Sequence, residues 1–149
     1  VTIRRAEPGE FDALVEIWRR SVTATHTFLT PREIATLLPV VRQQALPALD
    51  LWVLCDADGT RLGFLGMEEN SIEALFLAPE AMRRGHGRRL VEHARRLRAG
   101  ARLKVDVNEQ NPGALKFCQA CGFEVVGRSP VDSAGRPYPI LHLEETPRP

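Results

Sequence analysis

The sequence predicts one mixed α/β domain over residues 1–149. Three observations point there. A chain of 149 residues suits a single domain with one sizeable core. Hydrophobic content of 44% beside 26% charged residues is a globular composition and not a disordered one. Along the chain, strand-period and helix-period apolar patterns follow one another, separated by Gly- and Pro-containing turns, with no repeat, low-complexity stretch or linker.

The elements follow in order. Thr2–Ala6 alternates and reads as a first strand, which Pro8-Gly9 breaks. Phe11, Leu14, Val15, Trp18 and Val22 recur at helical spacing. Pro31 suits the first turn of a second helix, whose apolar side includes Leu37, Leu38, Val41 and Leu49. Leu51–Cys55 and Leu62–Met67 read as a hairpin around Asp56-Ala57-Asp58-Gly59. A turn at Glu69-Asn70-Ser71 leads to a fourth strand, Ile72–Leu77, stopped by Pro79. Gly85–Leu97 carries Gly87, Leu90, Val91, Ala94 and Leu97 on one helical face, and Gly100 stands at a natural helix end. Leu103–Val107 is a fifth strand, and Asn111-Pro112 opens a helix that Gly122 ends. Glu124–Gly127 and Pro139–Leu143 form a closing hairpin around Ser133-Ala134-Gly135.

A net charge of +1 supplies no bulk field toward nucleic acid or membrane. Seven arginines nevertheless crowd one segment: Arg83, Arg84, Arg88, Arg89, Arg95, Arg96 and Arg98. They make either a local anion site or a solvated helix face. No apolar run is long enough to span a bilayer. Val1–Arg5 enters a strand pattern without a secretory apolar region, so the protein is expected in the cytoplasm. Three cysteines, Cys55, Cys118 and Cys121, are expected as free thiols there.

The segment Met82-Arg83-Arg84-Gly85-His86-Gly87, continuing to Arg88, lies between a strand and a helix. Glycines let backbone N–H groups approach an anion closely. The helix start offers unpaired N–H donors and a positive dipole end, and arginines add fork-shaped donors. The ligand expected is a pyrophosphate, although the loop alone equally fits a tight turn with surface arginines. Neither a Gly-Lys-Ser/Thr loop nor a three-glycine dinucleotide spacing is present.

Two separated motifs, in order, resemble the GNAT superfamily of N-acetyltransferases. Ile72–Pro79 with the loop after it is similar to that family's fourth strand and its Arg/Gln-x-x-Gly-x-Gly/Ala motif. Asn111-Pro112-Gly113-Ala114-Leu115-Lys116-Phe117-Cys118-Gln119-Ala120-Cys121-Gly122-Phe123 resembles its Asn-x-x-Ala-x-x-Phe-Tyr-x-x-x-Gly-Phe signature. Ala24-Thr25-His26, Asp106–Asn111 and Arg136-Pro137-Tyr138-Pro139 resemble one bacterial branch, associated with protein-lysine acetylation. The resemblance implies a mixed, mostly antiparallel, twisted sheet flanked by helices, with splayed fourth and fifth strands. It implies acetyl-CoA as cosubstrate, its pantetheine arm pairing with the edge at Phe76 and Leu77 and its pyrophosphate over Arg83–Gly87. Asn108, Asn111 and Phe117 then line the far side. Two positions depart from the family pattern: Met82 replaces its Arg or Gln, and Cys118 its tyrosine.

Direct acetyl transfer to an amine needs a base, alignment, oxyanion donors and an acid for the leaving thiolate. The base candidates are Glu73, on the strand leading to the site, and His26, between the first helices. The backbone N–H near Leu77 is the oxyanion candidate. Cys118 and Tyr138 are the acid candidates. Each has a bland counterpart: a solvent-facing carboxylate, a packed histidine, a buried helix thiol, a strand aromatic. The Cys118-x-x-Cys121 pair lies late in a helix, where a redox pair is not favoured, and zinc would lack ligands, so no metal is expected.

The function expected is acetyl transfer from acetyl-CoA to a primary amine, either a protein lysine or a small amine. The alternatives are a CoA-binding sensor with little turnover and a nucleic-acid module on the arginine-rich helix. The latter lacks interleaved aromatics for base stacking. No nucleic-acid or membrane partner is expected, and a monomer and a homodimer both remain open.

Overall fold

A computed structural model describes residues 1–146. Seven strands form one sheet in the order β1-β2-β3-β4-β5-β7-β6. They are β1 (Thr2–Arg5), β2 (Asp50–Cys55), β3 (Arg61–Glu68), β4 (Ser71–Leu77), β5 (Lys104–Asn108), β6 (Phe123–Ser129) and β7 (Ile140–Glu145). All neighbours pair antiparallel except β4 and β5, which are parallel. Four helices accompany the sheet: α1 (Phe11–Thr25), α2 (Pro31–Val40), α3 (His86–Leu97) and α4 (Pro112–Ala120). The order of elements expected from the sequence is the order observed.

The central strand β3 is buried on both faces, from Gly63 to Met67. Such a strand reads as a continuous apolar run, because both sides of the pleat face other layers. Leu65 and Met67 pack toward Leu90, Val91 and Ala94 of α3, whereas Phe64 packs with Leu14 and Trp18 of α1. The sheet thus separates two apolar layers, with α3 and α4 on one face and α1 and α2 on the other.

Local signals account for the helix starts. Thr30 and Glu33 form a capping box ahead of α2, each side chain holding the other's backbone N–H at 3.1 Å. Pro31 occupies the first turn as expected, whereas Pro39, inside the helix, supplies no N–H to it. The chain then continues as a short π turn over Val41–Ala45 and a 3-10 turn over Leu46–Ala48, neither visible in the apolar pattern.

The closing strands are longer than the sequence suggests. β6 runs on through Arg128 and Ser129, and β7 through Glu144 and Glu145. Their ends are polar, so backbone pairing rather than apolar alternation defines them. Val126 is an extra residue in β6, opposed to nothing on β7 between Val125↔Leu143 and Gly127↔His142, and this interrupts the period. β5 begins at Lys104, with Leu103 buried just before it.

Near the first strand, buried Glu10 accepts hydrogen bonds from Arg4 (2.7 and 2.8 Å), Arg61 (2.7 Å) and the backbone N–H of Glu7 (3.0 Å). Arg4 foremost, with Arg61 and Glu7, holds its carboxyl at about 2, below the ordinary 4.5. A carboxyl depressed on folding contributes stability that is present above its unfolded value and lost as pH falls through the folded one. Urea unfolding of wild type should therefore weaken between pH 4.5 and about 2, and Glu10→Gln should flatten that limb. An unaltered limb in the variant would move the acid sensitivity elsewhere.

Candidate active site

β4 and β5 pair at only two rungs, Ser71↔Lys104 and Ile72↔Val105. The cause lies on the other side of β4. Its register with β3 passes from Ile72↔Met67 to Ala74↔Gly66, leaving Glu73 as an extra residue. A bulge bends its strand and raises the local twist. It also changes which face each side chain meets: Ile72 shares a layer with Leu75 and Leu77, whereas Ala74 and Phe76 join the opposite layer. Beyond Ile72 the edge of β4 toward β5 has no strand against it, and the two strands part as a fork.

The fork opens into a cavity of about 470 Å³, within the range of small-molecule sites. Phe76 and Leu77 line it from β4, Met82 and Arg83 from the loop, and Asn108, Asn111, Phe117 and Cys118 from the β5–α4 side. Glu73 and His26 also face it. Two non-adjacent sequence motifs therefore converge on one space.

At one end stands the start of α3. Gly85 is its N-cap, with left-handed backbone at φ 81°, a region where a Cβ is costly. Arg83 is left-handed too, at φ 63°. No side chain caps the helix, so the N–H groups of its first turn remain donors for an anion. Arg84, Gly85 and Arg88 are exposed beside it. Gly87 serves packing: a Cβ there would stand 3.0 Å from the Phe117 ring, so its smallness lets α3 approach α4. His86 is buried, and burial with Arg89 and Arg84 nearby lowers its pKa, keeping the ring neutral. Its contribution to an anion site is its backbone and not its imidazole.

The arginine cluster is not a single anion surface. Arg95 bonds Glu145 at 2.7 Å and also the Cys121 carbonyl, while Arg98 bonds the Glu69 carbonyl at 2.6 Å. Helical spacing turns these side chains away from the loop, leaving Arg83, Arg84 and Arg88 at its end.

On the far wall, Asn111 Oδ1 accepts from Ala114 N at 3.3 Å, capping α4, and Asn108 Oδ1 accepts from Gln110 N at 3.0 Å. Both oxygens are thus committed to the turn, and the amide NH2 groups are the donors left to a ligand.

The catalytic candidates differ in what they can do. The Thr25 hydroxyl donates to the Ser21 carbonyl at 2.9 Å and lies 2.8 Å from His26 Nδ1. Nδ1–H therefore donates to Thr25, which leaves the Nε2 lone pair available. Burial lowers the His26 pKa, favouring this neutral form. Cys118 is buried, and burial pushes its thiol up to about 11. It stays protonated at neutral pH, which suits a donor and not a nucleophile. Iodoacetamide at neutral pH should leave Cys118 unmodified in the folded protein and label it after unfolding. Rapid labelling of the native state would show a more open thiol.

Tyr138 is not among the cavity-lining residues. Its hydroxyl donates to Glu33, and its ring packs on Phe28, which packs on His26. Tyr138, expected as an alternative donor to the leaving thiolate, thus stands beside the cleft with its hydroxyl held by Glu33. The segments around His26 and Tyr138 meet there, joined by Phe28. Sequence reasoning also passed over Asp106, which lines the cavity. Its carboxylate bonds His142 Nδ1 at 2.7 Å, and His142 Nε2 bonds Ser129 Oγ at 2.7 Å. Only strand register brings these three together, so no local pattern could have marked them.

Comparison with known proteins agrees with this architecture. An acetyltransferase (GNAT) domain model matches residues 47–125. The chain is 43% identical over 143 residues to the peptidyl-lysine N-acetyltransferase YjaB of Salmonella typhimurium, covering 96% of this chain and 97% of that protein. The solution structure of apo YjaB from Escherichia coli superposes with a TM-score of 0.88 at 40% identity, covering 99% and 98% of the two chains. The PaiA N-acetyltransferase of Thermoplasma acidophilum, solved with coenzyme A, shares the fold at TM-score 0.79 and 19% identity over 98% of each chain. The chain belongs to the GNAT acetyltransferase family, and is an acyltransferase by class. Among the described residues no helix is long and apolar enough to cross a membrane.

Proposed function

We propose that the protein transfers the acetyl group of acetyl-CoA to the side-chain amine of a lysine in a protein. The observation that carries this reading is the forked cleft with an uncapped helix start at one end. An apolar slot beside an open strand edge fits a pantetheine arm, and the α3 start fits its pyrophosphate. The YjaB relatives, which act on peptidyl-lysine by name, support the choice of acceptor.

Bound acetyl-CoA supplies a thioester whose carbonyl carbon is open to attack. The chain's residues do the rest. The edge at Phe76 and Leu77 offers backbone groups to the arm, with the Leu77 region donating to the carbonyl oxygen. Asn108 and Asn111 offer amide N–H donors from the opposite wall. Arg83, Arg84, Arg88 and the backbone from Gly85 to Gly87 hold the phosphates. Phe117 packs the base of the slot, and Met82 replaces a polar contact with an apolar one.

Glu73, at the bulge where the strands part, takes a proton from the attacking nitrogen. His26 is the second group able to do so, through its free Nε2. Cys118, held protonated, faces the same space and is the donor nearest in kind to the tyrosine it replaces. The His26–Phe28–Tyr138 row forms the acceptor's wall, which a long aliphatic side chain can cross.

Thiol release with acetyl-CoA, across a panel of lysine peptides and small amines, tests the reading. Release with lysine peptides above the uncatalysed rate is expected. Acetyl-CoA binding without release on any amine would favour a sensor.

A further inference from the structure

Asp106 lines the cavity, and β5 fixes the direction it faces. Val105 and Val107 pack into the layer that holds Leu90 and Val91, so Asp106, between them, faces the opposite side of the sheet. From that side α1 brings Ser21, Thr25 and His26 to the cavity. Asp106 is also the first residue of β5 beyond the last rung of pairing with β4, Ile72↔Val105, as Glu73 is the first of β4. The residue thus stands where the strands part, on the His26 side of the cleft and away from the α3 start.

Its neighbours hold the carboxylate in place without covering it. His142 is directly opposite on β7, with Nδ1 2.7 Å from Asp106 Oδ1. A carboxylate only accepts, so the hydrogen lies on Nδ1, and Nε2 of the neutral ring accepts from the Ser129 hydroxyl at 2.7 Å. Oδ2 has no hydrogen bond among the described residues. The Asp106 side chain is 60% exposed, so an incoming group can reach it. Lys104, the cation two residues back on the same face, lies 4.0 Å from Glu144 and is drawn toward that strand.

We propose that Asp106 selects an acceptor that arrives as an alkylammonium ion, the form of a lysine side chain at neutral pH. This rests on the acetyltransferase reading above. Oδ2 receives the ammonium as it enters past His26, before Glu73 takes a proton from it. The attraction belongs to the ground state, because it is gone once the nitrogen is neutral. Asp106 therefore lowers KM without speeding the transfer. Weakly basic amines, uncharged at the same pH, gain nothing from it. His142 is a positioning residue: it holds Oδ1 and leaves Oδ2 to the acceptor.

The test measures KM and kcat at neutral pH and saturating acetyl-CoA, with a capped peptide whose one charge is its acceptor lysine. Asp106→Asn should raise KM by about threefold to fivefold, the upper part of what a solvent-open ion pair contributes, and should not lower kcat. His142→Ala should raise KM by less, and Asp106→Glu should retain part of the selectivity. The wild-type KM should rise between about 0.05 and 0.5 M salt, as for an exposed charge pair, and that of Asp106→Asn should rise less. A copy of the peptide with norleucine in place of lysine should inhibit both proteins alike. Acetyl-CoA binding checks the folding of every variant. A wild-type KM indifferent to salt, an unchanged KM in Asp106→Asn, or a fall in its kcat alone would overturn the assignment. So would a norleucine peptide that loses affinity for the variant as the lysine peptide does, since Asp106 would then act by shape. Absence of turnover in the wild type with every amine would instead remove the transferase reading, and this selectivity with it.

Discussion

Glu73→Gln is expected to lower kcat for a lysine peptide by about 10²–10⁴-fold, the range of a positioned acid–base group. Glutamine keeps the size of the side chain but cannot take a proton. The carboxylate sits on the bulge that ends β4–β5 pairing, so it stands where the strands part. Because the bulge is a backbone feature, the substitution should leave the fork and acetyl-CoA binding intact. The pH–rate profile of the variant should differ from that of wild type. An unchanged profile and rate would transfer the role to His26, which lines the same cavity.

Glu145→Ala is expected to cost about 2–3 kcal/mol of folding stability, within the scale for leaving a buried donor unsatisfied. Glu145 is buried, accepts from Arg95 Nε at 2.7 Å, and caps the buried Leu103 N–H at 3.0 Å. Arg95 also donates to the Cys121 carbonyl, so one guanidinium ties α3, the end of α4 and β7 together. Removing the carboxylate leaves Arg95 paired with Glu92 at 2.5 Å and with the Cys121 carbonyl, but strands the buried Leu103 backbone donor. At about 2–4 °C per kcal/mol for a domain this size, Tm should fall by about 4–12 °C. Glu145→Gln retains an acceptor for Leu103 and should cost less. A melting temperature within about 2 °C of wild type for Glu145→Ala would show that the network contributes little.

What was legible in the sequence was local. The order of strands and helices follows from apolar period and turn residues, and the loop before α3 from a strand, two glycines and a helix within one short segment. The Asn111–Phe123 signature supplied the far wall of the cleft for the same reason. Long-range geometry was not legible. Tyr138 could be nominated as a donor from the last hairpin, but not that its hydroxyl donates a hydrogen bond to Glu33, 105 residues away in sequence. Gly87 could be placed in the loop and on the packed face of its helix, but not that Phe117 of another helix is what fills the space beside it. Arg95 stood in the arginine-rich segment, but beside Glu92 of its own helix its partners come from β7 and the α4 end. The bulge at Glu73 exists only in the register between two strands, so the residue could be nominated from sequence while the reason for the fork could not.

The seat of the cofactor can be read directly from backbone amide NMR signals as acetyl-CoA is added. Large shifts are predicted at Phe76 and Leu77, across Gly85 to Arg88, and at Asn108 and Asn111, with little change on β1 and β2. Shifts confined to other elements, with these amides unmoved, would contradict the assignment of the β4–β5 fork as the acetyl-CoA site.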